Sequence, residues 1–312
     1  MKSSLTIGTR GSALALWQAN YVKAQLEALG IEITLKIIKT KGDNIQHLSF
    51  SKIEGKGFFT QEIEDSLLRG DVDMAVHSMK DLPTVSPEGL VLTAVSYRED
   101  PTDMLIICPD SVDESQPLKL KKGARIGTSS ARRKAQLLDV RPDLEMVDIR
   151  GNVPTRLGKL MSAQFDAIVL ATAGINRLEI DLGYFKSIRL NPREFAPAPA
   201  QGVLAFQTCD TDFDTRRILK NIHDPAVSRC TNIERRALNL LQGGCQMPFG
   251  MNCTQDDNGH YHAWASLAES WDSPLVRANL SSSTSAGLAE RIVQELHAKL
   301  SELKKQPEKI TA

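Results

Sequence analysis

Short apolar runs alternate with helical patterns along the first part of the chain. Residues 5–9 and 33–37 predict strands, and the apolar spacing over residues 14–29 predicts an amphipathic helix that Ser12 is placed to cap. Strands that alternate with helices in this way are typical of a largely parallel sheet covered by helices. The first hundred residues therefore predict an α/β domain.

A second series of the same kind begins after a polar linker at residues 97–101. Residues 124–127 and 167–171 predict strands, separated by amphipathic helical stretches. The proline-rich segment at residues 196–200 then precedes an apolar run at residues 203–208, which we expect to rejoin the first sheet. A chain that crosses between two sheets twice would form a hinge.

The pattern changes again after residue 222. A helix over residues 226–241 is followed by β-like runs around 251–253 and 262–265, and a striped helix over residues 286–303 closes the chain. This order predicts a small α+β domain after two α/β domains. The predicted domains comprise residues 1–98 with 200–220, residues 103–196, and residues 222–312.

Charge and composition exclude several classes of protein. Lysine plus arginine number 38 and aspartate plus glutamate number 38 in 312 residues, so nothing in the net charge favours nucleic acid or an anionic membrane. No apolar stretch reaches the roughly 18 residues of a membrane span, and the start of the chain does not read as a signal peptide. Five scattered cysteines without a CxxC pair indicate a reducing compartment. We expect a soluble, cytoplasmic protein. Any site that binds an anion should depend on a local cluster of basic residues and not on the net charge.

Arginines concentrate where predicted strands end and helices begin, so they should converge on one cleft. Arg132 and Arg133 open a predicted helix, where positive charge opposes the helix dipole and calls for a compensating anion. The hydroxyls of Thr128, Ser129 and Ser130 precede them and would extend an anion pocket. Ordinary surface ion pairs remain the alternative. The full arginine set is Arg10, Arg132, Arg133, Arg150, Arg156 and Arg177.

The sequence HSMKD at residues 77–81 follows a predicted buried strand and would lie at the carboxyl end of the sheet. Asp81 is the candidate for general acid/base or electrostatic catalysis, with Lys80 beside it. A helix cap with a solvated ion pair is the alternative. A histidine in the position of His77 is more often packed or hydrogen bonded than catalytic.

A glycine-bounded polar stretch over residues 42–57 carries Lys52 and Lys56, which could close over an anionic ligand or belong to a solvated loop. The chain contains none of the glycine-rich nucleotide motifs or the HExxH zinc motif. Dinucleotide, P-loop and zinc-protease functions therefore lack their sequence marks.

One cysteine lies in an unusual setting. Cys245 follows Gly243 and Gly244, and Pro248 comes three residues later. Glycines allow positive φ and the close approach of a bulky group, which suits a thiol that carries something large. A buried structural cysteine at a turn is the competing interpretation.

Taken in order, the arginine set and the motifs HSMKDLP, GTSSARR, RGNVPTRL and LQGGCQMPFG resemble the porphobilinogen deaminase family. The resemblance is strongest over residues 10–250 and weak after about residue 254. It implies two α/β domains like those of periplasmic binding proteins, with the active site in the cleft between them, and a small α+β third domain. The chain departs from the family pattern at Gln207 and Cys209, where a glutamate and an arginine are common.

The resemblance also implies the chemistry. Members of the family are hydroxymethylbilane synthases, which act as monomers in porphyrin and haem biosynthesis. They condense four porphobilinogen molecules head to tail, with loss of ammonia, onto a dipyrromethane cofactor, and hydrolysis releases 1-hydroxymethylbilane. A thioether to the cysteine of the GGC turn, here Cys245, would hold the cofactor.

Residue roles carried over from the family follow the same motifs. Asp81 would assist ammonia loss and stabilise the cationic azafulvene and pyrrole nitrogens. Lys52 and Lys56 are possible loop contacts. The implied cofactor-binding residues are Lys80, Asp81, Thr128, Ser129, Ser130, Arg132, Arg133, Arg150 and the covalent Cys245. The implied substrate-binding residues are Arg10, Ser12, Arg150, Arg156, Arg177 and Gln201.

Two other classes of protein compete with this interpretation. A non-catalytic protein that clamps a polycarboxylate would also use a hinge and arginines, but it gives no reason for Cys245 in a third domain. A nucleic-acid binder predicts excess positive charge and many aromatic residues, whereas aromatic residues are only 5% of this chain. No metal is expected in any of these interpretations.

Overall fold

The computed structural model of the protein describes residues 2–40, 60–244 and 247–305. Its strands are β1 Ser4–Thr9, β2 Glu32–Ile37, β3 Met74–Ser78, β4 Leu90–Arg98, β5 Asp103–Ile107, β6 Arg125–Gly127, β7 Glu145–Val147, β8 Ala167–Ala171, β9 Lys186–Arg189, β10 Val203–Cys209, β11 Phe249–Gln255, β12 Tyr261–Leu267 and β13 Val276–Ser282. Its α-helices are α1 Ala13–Glu27, α2 Gln61–Leu68, α3 Ala131–Val140, α4 Val153–Met161, α5 Thr172–Arg177, α6 Phe213–Leu219, α7 Pro225–Leu240 and α8 Leu288–Lys305.

The first sheet has the strand order β2-β1-β3-β10-β4. Strand β1 runs parallel to β2 and β3, whereas β10 runs antiparallel to β3 and β4. The prediction that residues 203–208 rejoin the first sheet is thus confirmed. Because β4 is antiparallel to β10, it runs in the same direction as β1, β2 and β3. Four of the five described strands of this sheet are thus parallel and β10 alone opposes them, so the prediction of a largely parallel sheet is confirmed here.

The second sheet repeats this mixed arrangement in the order β7-β6-β8-β5-β9. Strand β6 is parallel to β7 and β8, and β5 is antiparallel to β8 and β9. Among the described residues, strands β1 to β4 and β10 thus share one sheet, and strands β5 to β9 share another. The three-domain division with its boundaries stays a prediction.

Two crossing segments join the first two sheets and are hydrogen bonded to each other. The amide of Glu99 donates to the carbonyl oxygen of Gly202 over 3.0 Å. Gly202 has φ of 91°, and a Cβ atom there would collide with the carbonyl of Glu99. Only glycine fits this close approach, so the side-by-side packing of the crossings depends on Gly202.

The third sheet is antiparallel in the order β11-β12-β13, with α7 and α8 packed against it. Helix α7 also joins this unit to the first sheet through the fully buried Glu234. Its carboxylate accepts hydrogen bonds from Arg98, from the amide of Ala200 and from the amide of Cys253 at 2.6–2.7 Å. No helix in the described part of the chain has the length and apolar character needed to cross a membrane.

Candidate active site

The HSMKD sequence forms the end of strand β3 and a short 3-10 turn over Met79–Asp81. Met79 is buried in the apolar cluster beneath the turn, whereas Asp81 is exposed. A buried residue and an exposed residue two positions apart set the direction of the turn. The Asp81 carboxylate therefore points out of the sheet at the carboxyl end of β3.

A cavity of about 100 Å³ opens beside this carboxylate. It is lined by Asp81 and by Arg10 and Ser12, which follow strand β1. Ser12 caps helix α1, since its hydroxyl accepts a hydrogen bond from the amide of Ala15 over 3.3 Å. Arg10 and Ser12 thus line the same cavity as Asp81, while their contact with a substrate stays a prediction.

His77 forms part of the same wall and is buried. Its Nε2 lies 3.1 Å from Oε1 of Gln207. Because an amide oxygen only accepts, Nε2 carries the proton. Burial lowers the pKa of His77 to about 4, and the nearby charge of Arg10 acts in the same direction. His77 is thus a neutral, hydrogen-bonded histidine at physiological pH, as its position in the sequence indicated.

Lys80 lies on the other side of the turn and is half-buried. Its Nζ donates to Oε1 of Gln201 over 3.2 Å. Burial lowers the pKa of Lys80 to about 8; the charge of Arg133 lowers it further, while Asp81 opposes the shift. Lys80 therefore has both carboxylate and guanidinium charges close to it.

Gln201 joins Lys80 to the crossing segments. It is buried, and its Nε2 donates to the carbonyl oxygens of Pro101 and Thr102 and to Oδ1 of Asp103, at 2.8, 3.2 and 2.9 Å. Its side chain thus has protein partners at both ends. The substrate-binding role carried over for Gln201 stays a prediction.

Arg132 and Arg133 are buried at the start of α3, and both bind Asp103. Nη1 of Arg132 lies 2.7 Å from Oδ2, and Nη2 of Arg133 lies 2.7 Å from Oδ1. Burial alone would raise the pKa of Asp103, but the charges of the two arginines hold it well below its usual range. Asp103 therefore supplies negative charge of the kind that we predicted beside Arg132 and Arg133 from the helix dipole.

Sequence reasoning missed Asp103. The available signal was an acidic residue at the head of an apolar run, Asp103-Met104-Leu105-Ile106-Ile107, directly after a linker. A carboxylate that is fully buried needs a cationic partner, so the position implied a nearby arginine. With one carboxylate between two guanidinium groups, a net positive charge remains at the start of α3.

The hydroxyls that precede α3 hold the loop in shape. Ser129 Oγ donates to the carbonyl of Ile149 over 2.9 Å and accepts from its amide over 3.0 Å. Ser130 caps the helix by accepting from the amide of Arg133, and Thr128 Oγ1 accepts from the amide of Ser130. Contact of these hydroxyls with a cofactor stays a prediction.

Arg150 and Arg156 are half-buried and belong to the same electrostatic cluster. Burial lowers the pKa of Arg156 to about 10; the charges of Arg133 and Arg150 lower it further and that of Asp81 opposes them. Residues that follow strands of the first sheet and residues that follow strands of the second sheet therefore belong to one site. Arg10 belongs to the site as well, because it lines the same cavity as Asp81 and His77. The other cations of the site are Lys80, Arg132, Arg133, Arg150 and Arg156.

Arg177 lies apart from that cluster, against the crossing segments. It is 5% exposed, its Nη2 donates to the carbonyl of Gly202 over 2.7 Å, and its guanidinium lies 5.6 Å from the ring centre of Trp17. Its Nε is buried without an acceptor among the described residues. Burial lowers the pKa of Arg177, and the neighbouring Tyr97, Glu99 and Tyr21 oppose that shift.

The cysteine turn is described up to Gly244 and again from Met247; Cys245, Lys52 and Lys56 lie outside the described residues. A Cβ atom at Gly243 would lie 2.7 Å from Met247 Sδ, whereas Gly244 borders open space. Neither glycine uses the positive φ that its lack of a side chain allows; within the described part of the turn Gln242 is left-handed, with φ of 51°. Small size is thus required at Gly243, where a Cβ atom would collide with Met247 and Leu238.

A family model described as porphobilinogen deaminase, dipyromethane cofactor binding domain, matches residues 5–217. The chain belongs to the porphobilinogen deaminase family. The porphobilinogen deaminase of Chloroherpeton thalassium is 44% identical over 264 residues, 84% of this chain and 82% of that protein. The porphobilinogen deaminase of Lawsonia intracellularis is 42% identical over 283 residues and 90% of both chains. The resemblance noted in the sequence is confirmed.

Solved structures that are similar to this porphobilinogen deaminase family member include two binding proteins. A probable amino-acid ABC transporter extracellular-binding protein of Bacillus subtilis is 15% identical and covers 71% of this chain and 90% of its own, with a TM-score of 0.44. An arginine-specific periplasmic binding protein of Salmonella typhimurium is 12% identical and covers 72% and 93%, with a TM-score of 0.40. Nothing about the activity of this chain follows from these likenesses.

Proposed function

We propose that Asp81 is the catalytic carboxylate of this chain and that the surrounding cations bind the carboxylates of its cofactor and substrate. Membership of the family makes the chain a hydroxymethylbilane synthase, a transferase that condenses porphobilinogen on a dipyrromethane cofactor in tetrapyrrole biosynthesis. The observation that carries the proposal is the exposed carboxylate of Asp81 among the charges of Lys80, Arg10 and Arg156.

The charges at this site fit a cofactor that bears several carboxylates. Asp81 and Asp103 are the two carboxylates among the groups that shift the pKa of Lys80 and Arg156. They face a larger number of cations, namely Lys80, Arg132, Arg133, Arg150 and Arg156. The excess of positive charge in a partly desolvated cleft is the environment that acetate and propionate groups require.

The dipyrromethane, when bound, supplies the pyrrole carbon to which the first substrate is joined. We propose that Cys245 holds it by a thioether, since Cys245 is the cysteine of the GGC sequence and a Cβ atom at the preceding Gly244 would meet open space. Arg132, Arg133, Arg150, Lys80 and the hydroxyls of residues 128–130 would hold its carboxylates. Those of porphobilinogen would bind Arg10, Ser12, Arg150, Arg156, Arg177 and Gln201.

Asp81 would act on the reacting part of the substrate. The bond between the aminomethyl carbon and nitrogen breaks and ammonia leaves, so positive charge spreads over the pyrrole. Asp81 would also be placed to take up the proton that the acceptor pyrrole carbon releases when the new carbon–carbon bond forms. A fixed carboxylate would stabilise the positive charge and accept hydrogen bonds from the pyrrole N–H groups. A preorganised group of this kind contributes about 10²–10³ in rate.

The finer properties of the protein belong to the same proposal. We propose a cytoplasmic monomer that acts on a small molecule and has neither nucleic acid nor a membrane as its partner. The balance of 38 basic and 38 acidic residues supports the lack of nucleic-acid and membrane partners, because such partners select for an excess of positive charge.

Intact mass of the purified chain tests the cofactor attachment most directly. The wild type is expected to carry an adduct of two pyrrole units, and Cys245→Ser is expected to lack both the adduct and the activity on porphobilinogen. Cys209→Ser is the matched control, since Cys209 is a half-buried thiol in strand β10. A fully active wild type with the mass of the bare sequence would exclude Cys245 as an anchor.

A further inference from the structure

Arg235 in helix α7 is a buried arginine whose partners in the described part of the chain are backbone carbonyls. It is 9% exposed. Nη1 lies 3.4 Å from the carbonyl oxygen of Met79 and 3.2 Å from that of Leu82, and Nη2 lies 2.6 Å from that of Pro83. Among the described residues no carboxylate forms an ion pair with Arg235. A buried charge without an acidic partner is costly, so the position calls for a reason beyond packing.

The three carbonyls bracket the turn that carries Lys80 and Asp81. A single-turn 3-10 helix has poor hydrogen-bond geometry and little stability of its own. The amide of Leu82 closes this one onto the carbonyl of Met79 over 3.3 Å. Apolar packing of Met79 and Leu82 holds the position of the segment but leaves the rotation of its peptide planes to polar contacts.

Helix α7 contacts the same segment a second time. Asn239, one helical turn after Arg235, donates from Nδ2 to Oγ1 of Thr84 over 3.1 Å. Residues four apart lie on the same face of a helix, so one face of α7 holds residues 79–84 along its length. The helix ends at Leu240, five residues before Cys245.

We infer that Arg235 is a positioning residue for Asp81. By binding the carbonyls on both sides of the turn, it sets the peptide planes that aim the Asp81 side chain into the cleft. The same helix ends at Leu240, in the segment of the sequence that leads to Cys245. This inference rests on the proposed function of Asp81 and Cys245.

The test compares Arg235→Met and Arg235→Lys with the control Arg236→Gln. Arg236 is the next residue on α7, and it is exposed and paired with Glu290. Each protein is purified with its cofactor, loading is measured by intact mass, and kcat and KM for porphobilinogen are measured well below the melting temperature. Arg235→Met should be loaded, with kcat lowered roughly 10- to 100-fold and KM changed less than about twofold. Arg235→Lys should recover part of kcat, and Arg236→Gln should match the wild type.

A double-variant comparison separates positioning from simple stability. In an Asp81→Glu background the carboxylate is already displaced, so Arg235→Met should lower kcat by a much smaller factor than it does in the wild type. Equal factors in both backgrounds, or normal kcat in a loaded Arg235→Met protein, would overturn the inference. If Arg235→Met does not fold, Arg235→Lys is compared in the same two backgrounds with the same criteria.

Failure of the proposed function would look different. A wild type without an adduct or without turnover of porphobilinogen would contradict the function itself. A loaded and active wild type in which the Arg235 variants behave like Arg236→Gln would contradict only the inference about Arg235.

Discussion

Replacement of Asp103 by asparagine should destabilise the protein far more than the loss of an ordinary ion pair. Asp103 is fully buried. Its Oδ1 accepts from Nε and Nη2 of Arg133 and from Nε2 of Gln201, and its Oδ2 accepts from Nη1 of Arg132 over 2.7 Å. Asparagine has the same shape as aspartate, so the change removes charge and one acceptor without opening a cavity.

The size of the effect follows from these contacts. An asparagine can keep its oxygen toward Arg133 and Gln201, but its NH₂ group then faces Nη1 of Arg132. One hydrogen bond to a charged group is lost, at about 1.5–3 kcal/mol, and two donors meet. Two buried guanidinium groups also lose the charge between them. Breaking a buried ion pair from one side costs about 3–5 kcal/mol, which we expect for Asp103→Asn.

The assay is urea unfolding at several pH values, with Asp139→Asn as control. Asp139 binds Arg277 at 2.7 Å as Asp103 binds Arg132, but the side chains of Asp139 and Arg277 are 32% and 39% exposed. We expect the control to cost at most about 1 kcal/mol. A cost for Asp103→Asn no larger than that of the control would refute the reasoning about burial.

The pH dependence has a definite sign. The pKa of Asp103 is depressed in the folded protein, so its contribution is complete above the unfolded value of about 3.9. It is lost as pH falls from there through the lower folded value. The difference between wild type and Asp103→Asn should therefore be constant above about pH 5 and shrink in stronger acid. A difference that grows as pH falls would contradict the assigned shift.

Three further predictions concern the site and the crossing segments. Asp81→Asn should keep its cofactor, shown by intact mass, but lower kcat about 10²- to 10³-fold; near-normal turnover would remove Asp81 from the mechanism. Because the pKa of Lys80 is about 8, kcat/KM should fall as pH rises through 8, and Lys80→Arg should lack that fall, whereas the same fall in both proteins would assign it to another group. Gly202→Ala should cost about 1–3 kcal/mol of unfolding free energy, more than Gly123→Ala, whose positive φ of 66° lies in open space; equal costs would exclude the contact with Glu99 as the cause.

Helices and strands with a regular pattern of apolar residues were predictable from the sequence. The pattern over residues 226–241 corresponds to α7, Pro225–Leu240, and that over residues 286–303 to α8, Leu288–Lys305. Periodicity records which face of an element is buried, and this information is local to the element. The direction of strand pairing is not local, so the mixed order of the first two sheets followed only from the structure.

The partners of the site residues were the least predictable part. The sequence predicted an anion beside Arg132 and Arg133 from the helix dipole, but Asp103 lies 29 and 30 residues away from them along the chain. Gln201 meets Lys80 across 121 residues, and Arg235 meets Leu82 across 153. No spacing rule connects residues at such separations, because folding alone sets the distance between them.

The sequence by itself determined the residue types that the chemistry requires and the order in which they occur: an acid after a buried strand, arginines at element ends, and a cysteine after two glycines. Tertiary structure alone decided how those charges are shared. It placed Asp103 between two of the arginines, left Asp81 open to the cleft, and set Arg235 against the turn that aims it. The physical reason is that burial and distance determine the energy of a charge, and both depend on neighbours that are remote in the chain.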